Sequence, residues 1–356
     1  MMKLIHREIG SYFWLDGTET PAEDLLPAEW LPHSVDSIYT FSGRAAIECA
    51  INDIMKTHDV KSVYMPAYCC VSMVQPFFDK NIKVDFYDIE YDGEVHYRVD
   101  TKKRCSIFFT MTYFGLGICT VDEMTAEFKK RGIPVIEDIT HRLLCNNPLS
   151  ASADYCVASL RKWLAIPTGG YLLKQVGKLL SMPSLSGEQA VQPKIEAMQE
   201  KYDYLINGVG TKEKFLKGYA NFENGLICFD RKLQIDLLSA GILNKIDIEA
   251  VIKQRRKNAK ILYDGLREIS NLQFLEPNPD WDEHTPLFVP ILLETEKRDK
   301  LRQFLIDNGV YCPIHWTEVI GTKIGIRANE LSLICDYRYD EDDMNFIVNL
   351  IKTWAD

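Results

Sequence analysis

Three short polar segments contain the residues that could do chemistry, and each begins or follows a predicted helix or strand. The last of these along the chain is Ser159-Leu160-Arg161-Lys162-Trp163. In it, Lys162 follows the apolar segment Asp154–Ala158 and stands beside Trp163. A lysine among apolar neighbours loses its proton more readily, because burial disfavours the charged form, and the neutral amine is the form that makes a Schiff base. Ser159, three residues earlier, could donate a hydrogen bond to a phosphate. The alternative is an ordinary surface pair of Arg161 and Lys162.

The second segment, Glu137-Asp138-Ile139-Thr140-His141, follows a buried strand predicted at Ile133–Ile136. An acid at the end of such a strand faces the ligand crevice of an α/β sheet. Asp138 could keep a pyridine nitrogen protonated there, as a protein does when it uses pyridoxal phosphate (PLP) as an electron sink. His141 stands one helical turn further along. The alternative is a solvated loop acid and a hydrogen-bonded histidine.

The first segment, Ser42-Gly43-Arg44, stands at the predicted start of a helix. Unpaired backbone N–H groups and the helix dipole make such a start an anion site, and a glycine lets a phosphate approach the backbone. The alternative is a plain N-cap by Ser42. Together the three segments provide an anion cradle, an acid, a histidine and a lysine, in the order that a PLP site needs.

The elements that must position these segments alternate between short apolar runs and helical patterns over residues 40–175. The predicted strands include Ser62–Pro66, Lys83–Ile89, Cys105–Gly115, Ile133–Asp138, Asp154–Leu160 and Thr168–Lys174. This alternation predicts an α/β fold with a mostly parallel, doubly wound sheet.

After residue 180 the pattern changes. It predicts a loop over 183–194, helices over 195–206 and 247–269, and a smaller α+β domain at the C-terminal end. The predicted domains are residues 1–245, comprising an N-terminal segment and the large domain, and residues 246–356, the small domain.

Composition argues against several other classes of protein. The net charge is −10 and the basic residues are scattered, which disfavours a nucleic-acid partner. No apolar run reaches the length of a membrane span, and residues 1–10 lack the apolar core of a signal peptide, so we expect a cytoplasmic protein with no membrane partner. Ten cysteines include no C-x-x-C pair, so we expect neither a metal nor a disulfide framework.

These segments give the chain a resemblance to a known family. The stretches TFSGRAAIECAI (from Thr40), VIEDITHRLL (from Val135) and ASLRKWLAIPTGGYLL (from Ala158) resemble the DegT/DnrJ/EryC1/StrS family of sugar aminotransferases, which are PLP-dependent enzymes of fold type I. The resemblance implies that Lys162 forms the Schiff base and shuttles a proton, that Asp138 pairs with the ring nitrogen and that His141 lies near the ring. It also implies phosphate contacts from Ser42, Gly43, Arg44 and Ser159, a ring-stacking residue at Tyr68 or Cys70, and substrate contacts from Tyr113, His315 and Trp316.

The resemblance further implies an activity and an assembly. Glutamate would donate an amino group, a keto-sugar nucleotide in surface-polysaccharide or related biosynthesis would accept it, and the enzyme would be a homodimer. Sugar dehydratases of this family have histidine at the lysine position, so Lys162 argues against dehydration. The alternatives are another fold type I enzyme acting on a non-sugar substrate, or a non-catalytic regulatory or scaffold homologue.

Overall fold

The structure is a computed structural model that describes residues 7–32, 36–116, 121–229, 232–316 and 325–355, with the backbone alone at 226–229, 325 and 327. Its strands are β1 (Ile9–Gly10), β2 (Asp36–Thr40), β3 (Ser62–Pro66), β4 (Lys83–Tyr91), β5 (Val95–Arg98), β6 (Ile107–Met111), β7 (Val135–Asp138), β8 (Tyr155–Ser159), β9 (Gly170–Lys174), β10 (Gln273–Phe274), β11 (Val289–Leu292), β12 (Val310–Tyr311) and β13 (Glu330–Leu333). Its α-helices are α1 (Gly43–Ile54), α2 (Val71–Phe78), α3 (Asp122–Lys130), α4 (Glu188–Tyr202), α5 (Lys212–Phe229), α6 (Leu237–Lys245), α7 (Ile248–Leu266), α8 (Thr295–Asp307) and α9 (Glu341–Ala355).

The chain divides into two compact units. The first unit contains Tyr12–His58 and Asp154–Ile246, with the chain up to Glu8, and the second contains Ile9–Ser11, Asp59–Ala153 and Asp247–Asp356. The predicted domains, 1–245 and 246–356, stay a prediction.

The second unit contains five sheet strands in the order β7-β6-β3-β4-β5. The first four run parallel, and β5 is antiparallel to β4. Every residue of β6 and β7 is buried, as expected of parallel strands that are covered on both faces. The register pairs Met111 with Asp138, so these two strands end at the same level. The same unit holds the antiparallel strands β10-β11-β13, and α7 packs against α9.

The first unit contains three antiparallel strands in the order β2-β9-β8, and α1 packs on β8 and β9. Helix α1 begins at Gly43 because Ser42 has an extended backbone and its Oγ accepts a hydrogen bond from the backbone N–H of Ala45 at 3.1 Å. This cap holds the start of α1 at the end of β2.

The expected α/β fold with a mostly parallel sheet is confirmed, and one local expectation is wrong. The segment 183–194 was expected to be a loop, but α4 starts at Glu188 and contains Pro193. An interior proline costs a helix about 3 kcal/mol. Here α4 buries Val191, Ala197 and Met198 on one stripe, and this burial offsets the cost.

Asp53 of α1 joins several parts of the first unit. The residue is 1% exposed. Its carboxylate accepts hydrogen bonds from Tyr155 Oη at 2.7 Å, Lys174 Nζ at 2.6 Å, and the backbone N–H groups of Leu180 and, at 3.1 Å, Ser181. Burial acts to raise the pKa of Asp53, but these donors outweigh it and the pKa lies below its usual value. The carboxylate therefore ties α1 to β8, β9 and the segment after β9.

Two kinds of feature are absent from the described residues. No helix among them is long and apolar enough to cross a membrane. No group of three or more His, Cys, Asp or Glu side chains among them is arranged to hold a metal ion.

Candidate active site

Lys162 lies in the first unit, at the end of a single 3₁₀ turn that follows β8 directly. The backbone N–H of Leu160 donates to the carbonyl of Gly169 at 3.0 Å, and Leu160 and Trp163 are fully buried, so the turn is anchored on both sides of the lysine. Lys162 itself is half-buried. Its ammonium group has no hydrogen bond or ion pair with any residue that the structure describes. The lysine is therefore available to a ligand.

The residues expected to bind phosphate lie close together beside this turn. A Cβ atom placed on Gly43 would lie 3.0 Å from Ser159 Cβ, a tight contact, so glycine favours this close approach of the start of α1 to the end of β8. Arg44, the next residue of α1, has Nε and Nη1 buried without a hydrogen-bond partner among the described residues. A buried guanidinium with unused donors is the kind of group that an anion such as phosphate satisfies. Ser42, which caps α1, completes the set.

A charged cluster next to Lys162 was not predicted from the sequence. Arg161 Nη1 lies 2.9 Å from Glu223 Oε1, and Lys194 Nζ lies 3.1 Å from the same oxygen. Lys194 is 5% exposed and its ammonium lies 4.3 Å from the centroid of the Tyr219 ring. Burial lowers the pKa of Lys194 to about 8, against the effect of Glu223. The cluster fixes the side chain that precedes Lys162.

A signal for this cluster does exist in the sequence. Val191, Lys194, Met198 and Lys201 recur at intervals of three and four residues, so both lysines fall on the buried stripe of α4. Lys201 is fully buried, and its Nζ lies 2.6 Å from Glu8 Oε1. A lysine on an apolar stripe indicates a buried cation that needs a partner.

Asp138 lies in the second unit, at the carboxyl end of β7, as predicted. It is 7% exposed, and its Oδ1 accepts a hydrogen bond from the backbone N–H of Thr140 at 2.8 Å. This bond turns the chain sharply after the strand and leads it to His141, which is fully buried. Asp138 and His141 are therefore held by the same turn.

Glu137, the preceding residue, is a buried acid with a different role. Its Oε2 accepts from the backbone N–H of Ser150 at 3.0 Å, and Arg142 Nη1 lies 3.5 Å from Oε1. Burial raises the pKa of Glu137 to about 7, because Arg142 is too distant to offset the desolvation.

The raised pKa of Glu137 predicts a pH effect on stability. Between about pH 4.5 and pH 7 the folded chain binds this proton and the unfolded chain does not, so stability falls as pH rises through that window. We expect Glu137→Gln to gain about 1–3 kcal/mol relative to the wild type between pH 5 and pH 8. Urea unfolding at both pH values measures this difference. An unchanged difference between the two proteins would show that Glu137 is ionised in the folded protein throughout.

Several predicted residues form an aromatic cluster in the second unit. The Trp316 ring lies 4.9 Å from Tyr68 and 5.8 Å from His141, centroid to centroid, and the His141 and His315 rings are 5.8 Å apart. Tyr113 donates from Oη to the carbonyl of Tyr68 at 2.7 Å, and burial raises the pKa of Tyr113 well above its usual value. We call Tyr68, Tyr113, His141, His315 and Trp316 the aromatic cluster.

Cys70 lies outside this cluster. It is the N-cap residue of α2, and its Sγ lies 2.9 Å from Ser72 Oγ. The structure thus brings Tyr68 together with the other predicted aromatic residues and places Cys70 at the start of a helix.

Several solved structures with a similar fold are described as aminotransferases. PseC from Helicobacter pylori has a TM-score of 0.64 at 14% identity, over 92% of this chain and 88% of PseC. The aminotransferase TlmJ from Streptoalloteichus hindustanus has a TM-score of 0.62 at 15% identity, over 89% and 85% of the two chains. NtdA from Bacillus subtilis, solved with its cofactor PMP bound, has a TM-score of 0.61 at 13% identity, over 91% and 74%. At these identities the likeness shows a shared fold.

The sequence adds a partial match to a family model. Residues 207–324 match the model of the DegT/DnrJ/EryC1/StrS aminotransferase family, which is about a third of the chain. No curated protein matches the sequence. The family match confirms the resemblance and the enzyme class that we expected, and the structural neighbours include PLP and PMP forms.

Proposed function

We propose that the protein is a PLP-dependent aminotransferase that moves an amino group from glutamate to a keto-sugar nucleotide, and that it works as a cytoplasmic homodimer. The single observation that carries the proposal is Lys162, a half-buried amine at the end of the turn after β8, with no partner among the described residues. A structural lysine at such a place would be paired, since an unpaired buried charge is costly.

The start of α1 would bind the phosphate group of the cofactor. Gly43 and Ser159 approach closely there, and Arg44 has unused buried donors. We propose that Ser42 and the backbone at Gly43 supply further hydrogen bonds.

Three residues would contact the cofactor ring or act on the substrate: Lys162, Asp138 and His141. PLP, when bound, withdraws electrons from the substrate carbon that carries the amino group. Lys162 Nζ would hold the cofactor covalently and move the proton at that carbon, and Asp138 would keep the ring nitrogen protonated. The backbone N–H of Phe114 donates to His141 Nδ1 at 3.0 Å, so the neutral His141 ring carries its proton on Nε2 and can donate from there.

The aromatic cluster supports a cyclic substrate with hydroxyl groups. Tyr68 would cover the cofactor ring rather than Cys70, because Tyr68 packs against Trp316 and Tyr113. His315, Trp316 and Tyr113 would contact the substrate, since aromatic faces with polar tips suit sugars. PseC, a structural neighbour, is described as involved in the biosynthesis of pseudoaminic acid, which supports a sugar as the amine acceptor.

An absorption spectrum tests the proposal directly. We expect the purified protein with added PLP to show a visible band, and L-glutamate to bleach it as the cofactor takes up the amino group. Substrate profiling with keto-sugar nucleotides and simple ketones then identifies the acceptor. A band that glutamate leaves unchanged would point to another reaction on this fold, and no band at saturating PLP would favour a non-catalytic homologue.

A further inference from the structure

A buried hydrogen-bond network in the second unit starts at Glu330, the first residue of β13. Glu330 is 0% exposed. Its Oε2 accepts from the backbone N–H of His315 at 2.7 Å, and its Oε1 accepts from Ser332 Oγ. Both partners thus donate to this carboxyl group, one through a backbone N–H and the other through a hydroxyl.

This network determines which nitrogen of His315 carries the proton. The Ser332 hydroxyl has one proton, and that proton points to Glu330. Ser332 Oγ can therefore only accept from His315 Nδ1, which lies 3.0 Å away. Nδ1 must then carry the proton, and the neutral ring keeps its lone pair on Nε2.

The surroundings of His315 leave Nε2 for a ligand. The ring lies 5.0 Å from Phe288, 5.4 Å from Phe114 and 5.4 Å from Trp316, centroid to centroid. No hydrogen bond to Nε2 comes from the part of the chain that the structure describes. His141, with its proton on Nε2, has the opposite tautomer.

We propose that Glu330 and Ser332 are positioning residues that hold His315 with its proton on Nδ1, so that Nε2 accepts a hydrogen bond from the ligand. The ligand group at this point is then a donor, a hydroxyl or an amine, because a carboxylate or phosphate oxygen would face a lone pair. The inference rests on the proposed function only in taking the ligand to be the substrate.

Nitrogen NMR on the full-length protein with bound PLP tests this directly. Two-bond ¹H–¹⁵N correlation spectra of histidine-labelled protein are recorded at about pH 8.5, roughly two units above the usual pKa of histidine. The spectrum of His315→Gln assigns the ring by the signal it lacks. We expect His315 to be protonated on Nδ1 and His141, an internal reference, on Nε2. A His315 signal with the proton on Nε2 would overturn the proposal.

Glu330→Gln makes the test sharper, because the two side chains have nearly the same shape. The glutamine carbonyl must keep the bond from the His315 backbone, which turns its NH₂ group toward Ser332. Ser332 then directs its own proton to Nδ1. We expect the tautomer ratio of His315 to shift by about tenfold or more toward the Nε2-protonated ring. Retention of the wild-type tautomer in E330Q would contradict the network.

Matched variants distinguish the effect of this hydrogen-bond network from a general loss of structure. Ser332→Thr keeps the hydroxyl and should keep the proton on Nδ1, whereas Ser332→Ala should lose that preference. The exposed Glu268→Gln serves as the control and should leave the spectrum unchanged. If E330Q does not fold, equal tautomers in the Thr and Ala variants would still overturn the proposal. The spectrum needs no turnover, so an enzyme that fails to transfer amino groups would refute the proposed function and leave the His315 result standing.

Discussion

Replacing Lys162 by alanine is expected to remove the visible absorption band of the PLP-loaded protein and to lower amino transfer at least about 10³-fold. The reason is that Lys162 is the half-buried amine at the end of the turn after β8, and its ammonium group has no hydrogen bond or ion pair with any described residue. Without it, the protein loses the amine that we propose holds the cofactor covalently and moves the proton at the substrate carbon. Spectra and initial rates with L-glutamate measure both losses.

The control for this variant is Lys178→Ala. Lys178 is an exposed lysine of the same unit, and its removal should leave the band and the rate within about twofold of the wild type, since surface substitutions away from a site have small effects. A K162A protein that keeps the wild-type band and rate would show that another amine holds the cofactor.

Replacing Asp53 by alanine is expected to lower the free energy of unfolding by about 3–5 kcal/mol, the usual cost of breaking a buried ion pair. The substitution removes the acceptor of Tyr155 and Lys174 together with the anchor of the segment after β9. Because the pKa of Asp53 is lowered in the folded chain, its contribution is present at neutral pH and lost as pH falls through the folded-state pKa. Urea unfolding followed by circular dichroism measures the change.

Two further variants give smaller expected losses of stability for comparison with Asp53→Ala. Tyr155→Phe removes one hydrogen bond to Asp53 and should cost about 1 kcal/mol. Asp59→Ala removes an exposed carboxylate paired with Lys61 and should cost no more than about 0.5 kcal/mol. If D53A were as stable as D59A, the four hydrogen bonds to Asp53 would not hold the unit together.

The fold was predictable where local pattern and tertiary packing agree. Strand β3 falls at Ser62–Pro66 as predicted, and β4 extends the predicted Lys83–Ile89 by two residues, because apolar β-rich runs match the periodicity of a buried strand. The start of α4 was not predictable from Pro193 and its polar neighbours. Its helix depends on burial against α5, and helix propensity is a weak prior when tertiary contacts override it.

The candidate site was predictable to the extent that single residues stand at strand ends. The structure places Asp138 at the end of β7 and Lys162 at the end of the turn that follows β8. The residues that support the site come from distant parts of the sequence. Glu223 reaches Arg161 from 62 residues away, and Glu330 of β13 reaches His315 from 15 residues away. A spacing rule cannot find such partners, because they meet only after the chain has folded.

The ion pair between Lys201 and Glu8 has a consequence for the order in which the first unit assembles. Glu8 also binds Lys212 at 2.7 Å, across a separation of 204 residues. Until that long loop closes, α4 carries an unmatched cation on the face that it must bury, which costs several kcal/mol. We therefore expect α4 to dock late on the folding pathway, after the two distant segments have met. During synthesis on a ribosome, Glu8 would be made first, and more than half of the chain would follow before Lys201 and Lys212 were made.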